Sequence, residues 1–136
     1  LVAFGYSNPG WKFGVDRFAQ EAAQAGIDAM LLVNIPVEES DELDAACSRY
    51  GLANTFLTAP TTPHKRLEAI AARARGFVYH VSRTGVTGEQ STLSASLGDE
   101  VRVVKSMVSP PVVVGFGINT PDQVREVAVS PTDTRQ

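Results

Sequence analysis

The sequence predicts an α/β fold on three observations. Five short apolar runs of β type alternate with segments of helical periodicity, successive runs start roughly 22 to 35 residues apart, and several runs are continuously apolar rather than alternating. Crossovers of that length are too long for hairpins and return the chain parallel to its previous strand. Continuous apolar runs are expected where helices cover a parallel sheet.

The elements follow in order. Leu1 to Tyr6 is the first run and Ala29 to Asn34 the second, with Gly26 before it at a helix C-terminal position that favours a left-handed residue. Leu43, Ala46, Cys47 and Tyr50 then fall on one face of a helix that Gly51 ends. The third run is Ala53 to Thr58. Thr62-Pro63 predicts a capping hydroxyl before a proline in the first helical position, followed by the stripe Leu67, Ile70, Ala71 and Ala74 and a stop at Gly76. Gly76 to Ser82 is the fourth run, and Leu97, Val101, Val104 and Val108 mark the next buried helix face. Pro111 to Gly117 is the fifth run; Thr120-Pro121 with Gln123 forms a capping box for one more helix. The polar stretch from Ser130 to Gln136 is expected to fray, leaving residues 1–129 as the folded domain. Two architectures fit this pattern: an open doubly wound sheet, or an arc of a (β/α)₈ barrel, which takes about 250 residues when whole.

Composition narrows the partners. In 136 residues, 43% are hydrophobic and 20% charged, the balance of a single globular domain rather than a disordered chain. Lys+Arg number 12 against Asp+Glu 15, a net charge of -3 with no basic run, so neither nucleic acid nor an anionic membrane is expected as a partner. Cys47 is the only cysteine, which excludes an internal disulfide and a cysteine metal cluster, and no motif calls for a cofactor. The longest apolar runs, such as Ala29 to Val33, fall far short of the roughly 20 residues of a membrane span. No signal segment is expected, and a cytoplasmic setting follows. The chain opens at Leu1 inside an apolar stretch, as an excised piece of a longer polypeptide would.

Ligands bind at the carboxyl ends of the strands in either architecture, so the loops there are the candidates for chemistry. These are Tyr6-Ser7-Asn8-Pro9, Asn34-Ile35-Pro36, Thr58 to Thr62, Ser82 to Gly88 and Gly115 to Thr120. The fourth carries two glycines, two threonines and Arg83, a composition that lets backbone N–H groups approach an anion. In the fifth, Gly115 and Gly117 lead into a capped helix start, which suits phosphate. It is not the dinucleotide fingerprint, because Thr120 stands where the third glycine belongs. His80, between Tyr79 and Val81, is expected to face the helices as a packed histidine if Tyr79 points inward. His64 is expected in solvent, Cys47 to be buried and inert, and the acids Glu38, Glu39, Asp41, Glu42 and Asp44 to be solvated charges favoured by a helix N-terminus.

Taken together, Tyr6-Ser7-Asn8-Pro9, Ile35-Pro36-Val37-Glu38-Glu39, Ala59-Pro60-Thr61-Thr62, the string Gly76 to Gly88 and Gly115-Phe116-Gly117-Ile118 closely resemble the tryptophan synthase alpha chain family. The resemblance extends to about Val129. It implies a (β/α)₈ barrel that cleaves indole-3-glycerol phosphate by a retro-aldol reaction into indole and glyceraldehyde 3-phosphate, and that passes indole to a beta subunit. This chain would begin at the third strand and end after the seventh helix.

By that resemblance, Tyr6 and Tyr79 line the indole pocket and Phe116 packs against the ring. Gly88 and Gly117 hold the phosphate through their backbones, Thr87 sits on the closing loop, and Asn8 and Pro36 meet the beta subunit. By the same resemblance, the family's acid/base glutamate and its loop aspartate would precede Leu1, and the eighth strand with its Gly-Ser phosphate turn is missing, the chain reading Ser130 to Gln136 instead. Asn34 stands where an aspartate is usual. General acid/base groups typically supply about 10²- to 10⁴-fold, so no lyase turnover is expected of this chain alone. Two alternatives remain: a self-associated scaffold with weak ester or phosphoester hydrolysis through His80 or His64, or a module that docks a beta-type subunit. An open arc exposes two edge strands and an inward face, expected to include Phe4, Leu57, Val81 and Val114, so a homodimer or higher oligomer is expected.

Overall fold

The computed structural model describes residues 1–81, 97–115, 120–121 and 124–125. Its strands are β1 (Val2–Gly5), β2 (Ala29–Leu32), β3 (Ala53–Thr58), β4 (Val78–Val81) and β5 (Val112–Gly115). The helices are α1 (Ser7–Phe13), α2 (Val15–Gln24), α3 (Asp41–Arg49), α4 (His64–Arg73) and α5 (Leu97–Met107), with a 3₁₀ turn at Val37–Glu39. The strands form one sheet in the order β1-β2-β3-β4-β5, each pair parallel. That order is the one expected of a barrel arc and excludes a doubly wound sheet, whose strand order reverses.

Register sorts the side chains between two faces. Phe4 aligns with Leu31 and Leu31 with Thr55, while Leu57 aligns with Tyr79 and Tyr79 with Val113. These residues point inward. Their neighbours Met30, Leu32, Phe56, Val78 and His80 point to the helices and are buried. The inward face is concave: the Phe4 and Tyr79 rings lie 6.2 Å apart although two strands separate β1 from β4. In a flat sheet those strands would stand ~14 Å apart.

The core lies between the strands and the helices. Val15, Ala19, Met30, Leu32, Leu43, Ala46 and Cys47 pack together under α2 and α3, and Phe56, Leu67, Ile70, Val78 and Val104 under α4 and α5. Gly26, Gly51 and Gly76 have φ of +82°, +73° and +76°, as their positions after helices predict. A crosslink of polar groups ties the layer together. The Arg73 guanidinium donates to the Val37 carbonyl at 3.1 Å and the Ser40 hydroxyl at 3.1 Å, and pairs with Asp41 at 2.6 Å and Asp44 at 3.4 Å. Asp44 also accepts from Asn54 on β3 at 2.5 Å.

Three expectations need correction. The first loop is not a loop: Ser7, Asn8 and Pro9 are helical in α1, which Gly14 (φ +93°) breaks from α2. The α2 stripe Val15, Phe18, Ala19 and Ala22 carries the helical spacing that marks it in the sequence. Thr62 does not cap α4, because its hydroxyl accepts from the Ala59 N–H at 2.8 Å and closes a turn, while Pro63 flanks the helix. Val114 does not face inward. It aligns with His80 and packs with Val112 against Leu97 and Val101, which leaves Val113, 43% exposed, as the inward residue of β5. The tail from Ser130, with the capping partner Gln123, lies outside the described residues.

Leu43 is 1% exposed at the centre of the first cluster. Leu43→Ala is expected to lower the unfolding free energy by about 3 kcal/mol in a urea titration. Val103→Ala, at a position 52% exposed on α5, should change it by less than ~0.5 kcal/mol.

Candidate functional site

The described residues converge at the carboxyl ends of the strands, on the concave side. Tyr79 is set there by parity, because Val78 and His80 on either side of it are buried against the helices. Its ring tilts at 47° to Phe4 and its hydroxyl lies over β5, where a Cβ added to Gly115 would stand 1.7 Å from the oxygen. Glycine at 115 is therefore what lets Tyr79 lie across the sheet. Tyr6 follows β1 at the same end but is 69% exposed, and among the described residues the ring contact to Tyr79 comes from Phe4 instead. Thr55 shares the inward face in register with Leu31; it is 2% exposed and its hydroxyl has no hydrogen-bond partner among the described residues. Residue type gave no reason to single out Thr55. Strand parity counted from Leu57, two residues on along β3, does place it on that face.

Behind this surface, one histidine joins three elements. The Thr58 hydroxyl on β3 lies 3.0 Å from His80 Nδ1, and Glu100 Oε2 on α5 lies 3.5 Å from Nε2. His80 is 1% exposed, the packed histidine that alternation predicts. Burial holds its pKa below the ordinary 6.5, against a smaller upward pull from Glu100. Cys47 is buried, and burial first and Asp44 second push its thiol up to about 12, which removes it as a nucleophile near neutral pH. His64 is exposed and stands 3.4 Å from Glu68. The acidic cluster is more engaged than expected: Arg66 holds Glu38, and Arg73 holds Asp41 and Asp44. The Arg66 bond lowers the pKa of Glu38.

The loops expected to meet a partner are fixed by a two-point clasp. Asn34 Oδ1 accepts the Ser7 N–H at 2.7 Å, and its Nδ2 donates to the Ser7 hydroxyl at 2.9 Å. Helix α1 has no side-chain cap from its own flanking residue, so Asn34, in the turn after the neighbouring strand β2, satisfies one of its free N–H groups. Beside the clasp, Asn8, Trp11, Lys12, Ile35 and Glu39 line an open cleft of about 470 Å³. Pro36 lines a second, of about 290 Å³, with Ile35, Phe56, Leu57 and Arg66. The structure thus brings Asn8 and Pro36 to neighbouring clefts that share Asn34 and Ile35. Thr87, Gly88, Phe116 and Gly117 lie outside the described residues. Thr120 accepts the Val124 N–H at 3.2 Å through its carbonyl. Among the described residues no helix is long and apolar enough to cross a membrane, and no three acids, histidines or cysteines are grouped to hold a metal ion.

Comparison with known proteins agrees with this geometry. The family model described as tryptophan synthase alpha chain matches residues 1–134. The tryptophan synthase alpha chain of Geobacter sulfurreducens is 48% identical over 130 residues, 96% of this chain and 49% of that protein. That of Opitutus terrae is 42% identical over 128 residues, covering 94% and 48%. Among solved structures, the tryptophan synthase α2β2 complex of Pyrococcus furiosus superposes with a TM-score of 0.88 at 34% identity, over 95% of this chain and 52% of the matched chain. Tryptophan synthase subunit alpha of Legionella pneumophila gives 0.80 at 35%, over 93% and 47%. The chain therefore spans about half the length of the relatives it matches.

Two outcomes are expected of the site. Gly115→Ala should displace the Tyr79 ring and destabilise the fold by about 1 to 3 kcal/mol, and Tyr79→Ala in the same chain should recover part of that loss in thermal unfolding. His80 has a folded pKa below its unfolded value, so the unfolded chain binds the extra proton first. Its contribution to stability is complete above pH 6.5 and is lost as the pH falls from there through the folded pKa. Urea titrations across that window should show falling stability in the native chain and a flatter profile in His80→Gln.

Proposed function

Since the chain belongs to the tryptophan synthase alpha chain family, we propose that it carries the aromatic half of a site for retro-aldol cleavage of indole-3-glycerol phosphate. The observation that carries this reading is the Tyr79 ring, laid over Gly115 and against Phe4 at the carboxyl end of a concave parallel sheet. A flat apolar substrate ring stacks on such a surface. Tyr6 and Phe116 would complete the pocket, and Gly88, Gly117 and Thr87 would receive the glycerol phosphate. The glutamate and aspartate that move protons in this family have no counterpart in the 136 residues, so a further segment of barrel must supply them for turnover. The partner we propose for the α1 and Asn34 loops is a beta-type subunit, met by Asn8 and Pro36, in a cytoplasmic complex.

A second reading concerns the chain on its own. Leu1, Val2, Phe4 and Val113 are 77%, 44%, 58% and 43% exposed along the edges and the concave face. Exposed apolar residues beside unpaired strand edges favour pairing with another copy, and a homodimer is the simplest closed assembly.

Three measurements test these readings. Indole-3-glycerol phosphate added to the 136-residue chain should give no product, and turnover near that of a whole alpha chain would refute the division of labour. Indole should bind the chain, and Tyr79→Ala should weaken it by about tenfold, the loss expected for one aromatic contact. Sedimentation equilibrium at ~100 μM, above common interface dissociation constants, should show a dimer. Val113→Glu should shift it to monomer or insoluble protein; a native chain that stays monomeric rules out self-association.

A further inference from the structure

His80 touches nothing on the concave face, yet it sits one residue from the side chain on which that face depends. Its ring occupies the layer between sheet and helices, with Thr58 Oγ1 at 3.0 Å from Nδ1 and Glu100 Oε2 at 3.5 Å from Nε2. A carboxylate only accepts, so the Nε2 proton faces Glu100, and Nδ1 is left to accept from the Thr58 hydroxyl. The neutral imidazole thus bonds the Thr58 hydroxyl through Nδ1, while the buried Nε2 makes no hydrogen bond among the described residues and has the Glu100 carboxylate facing it at 3.5 Å. Thr58 ends β3, His80 lies near the end of β4, and Glu100 lies in the first turn of α5, so the ring bonds β4 to β3 and packs beside α5 at the sheet's carboxyl end.

We propose that His80 is a positioning residue for Tyr79: its ring braces the end of β4 from behind, against Thr58 and Glu100, and so keeps the Tyr79 ring over Gly115 and against Phe4. The function of this brace rests on reading Tyr79 as an aromatic pocket residue; the brace itself does not. Protonation of Nδ1 turns an acceptor into a donor and leaves the Thr58 hydroxyl proton without its acceptor. The groups that face the ring limit the compensation. Glu100 on α5 is the titratable group facing it among the described residues, while β3 presents Thr58 and β5 presents Val114. At 3.5 Å the Glu100 contact is long for a hydrogen bond, and burial opposes the charge, so the protonated ring is poorly held.

The test is a pH titration of the ¹⁵N-labelled 136-residue chain by nuclear magnetic resonance. Long-range imidazole spectra read the His80 tautomer and midpoint, and cross-peaks between the Phe4 and Tyr79 rings read the position of Tyr79. The expected result is an Nε2–H tautomer, a midpoint below 6.5, and loss of the Phe4–Tyr79 cross-peaks in step with protonation. Glu100→Gln should lower the midpoint further. His80→Gln, which keeps a donor and an acceptor, should retain the cross-peaks at every pH, and His80→Leu should lose them at every pH. Cross-peaks that persist while His80 titrates, or that are unchanged in His80→Leu, overturn the proposal. If His80→Leu does not fold, the native titration and His80→Gln still decide. Indole added to the same samples separates the two readings. With the cross-peaks intact, an absence of indole-induced shifts at Tyr79 removes the aromatic pocket and leaves the brace standing.

Discussion

Everything in this half-barrel depends on the two-residue alternation of side chains along parallel strands that curve. One face of each strand must satisfy the helices, and the other must line a concave surface. On the helix side the demand is for dense apolar packing, and Met30, Leu32, Phe56 and Val78 meet it almost without exposure. On the concave side the demand is for shape. There large rings converge from strands that are not neighbours, and one glycine opposite them makes room.

Polar groups are placed where apolar packing cannot fix orientation. Arg73 gathers the 3₁₀ turn, α3 and α4 around one guanidinium, and through Asp44 and Asn54 it reaches β3. Asn34 does the same for α1 from the end of β2, with an amide that offers an acceptor and a donor to one serine. His80 plays the corresponding role between β3, β4 and α5. Each is a buried or half-buried crosslink between successive βα units, and each lies behind or beside a loop at the functional end. A helix without its own cap and a strand that ends in a glycine have little local rigidity. Crosslinks of this kind supply it from sequence-distant positions.

Family membership and the arc geometry lead to the same division of the molecule. The chain matches about half of its relatives, and the part it matches is a continuous set of strands in barrel order. Strand order that follows chain order also keeps most pairings between successive units. The aromatic surface at Tyr79 is therefore built from this chain's own strands, with Phe4 on β1, Tyr79 on β4 and Gly115 on β5.

The sequence by itself determined the class, the number of strands, their parallel sense and the buried stripes of α3, α4 and α5, because these follow from local periodicity and crossover length. It also determined the inert burial of Cys47 and the outward turn of His80, since helical spacing and strand parity act within a few residues. Tertiary structure alone decided the rest. The Tyr6 to Pro9 segment reads as a loop on its proline and polar residues, yet Ser7 to Pro9 are helical, and Asn34 in the turn after β2 caps them. Thr62 reads as a cap, yet its hydroxyl is taken by the nearer Ala59 amide. Val114 reads as an inner-face residue within a run of three valines that offers no alternation to count, and only the register of β5 against β4 fixes which valine turns inward. The contact of Phe4 with Tyr79 spans 75 residues of chain and exists only because the sheet is curved. No local pattern encodes that curvature.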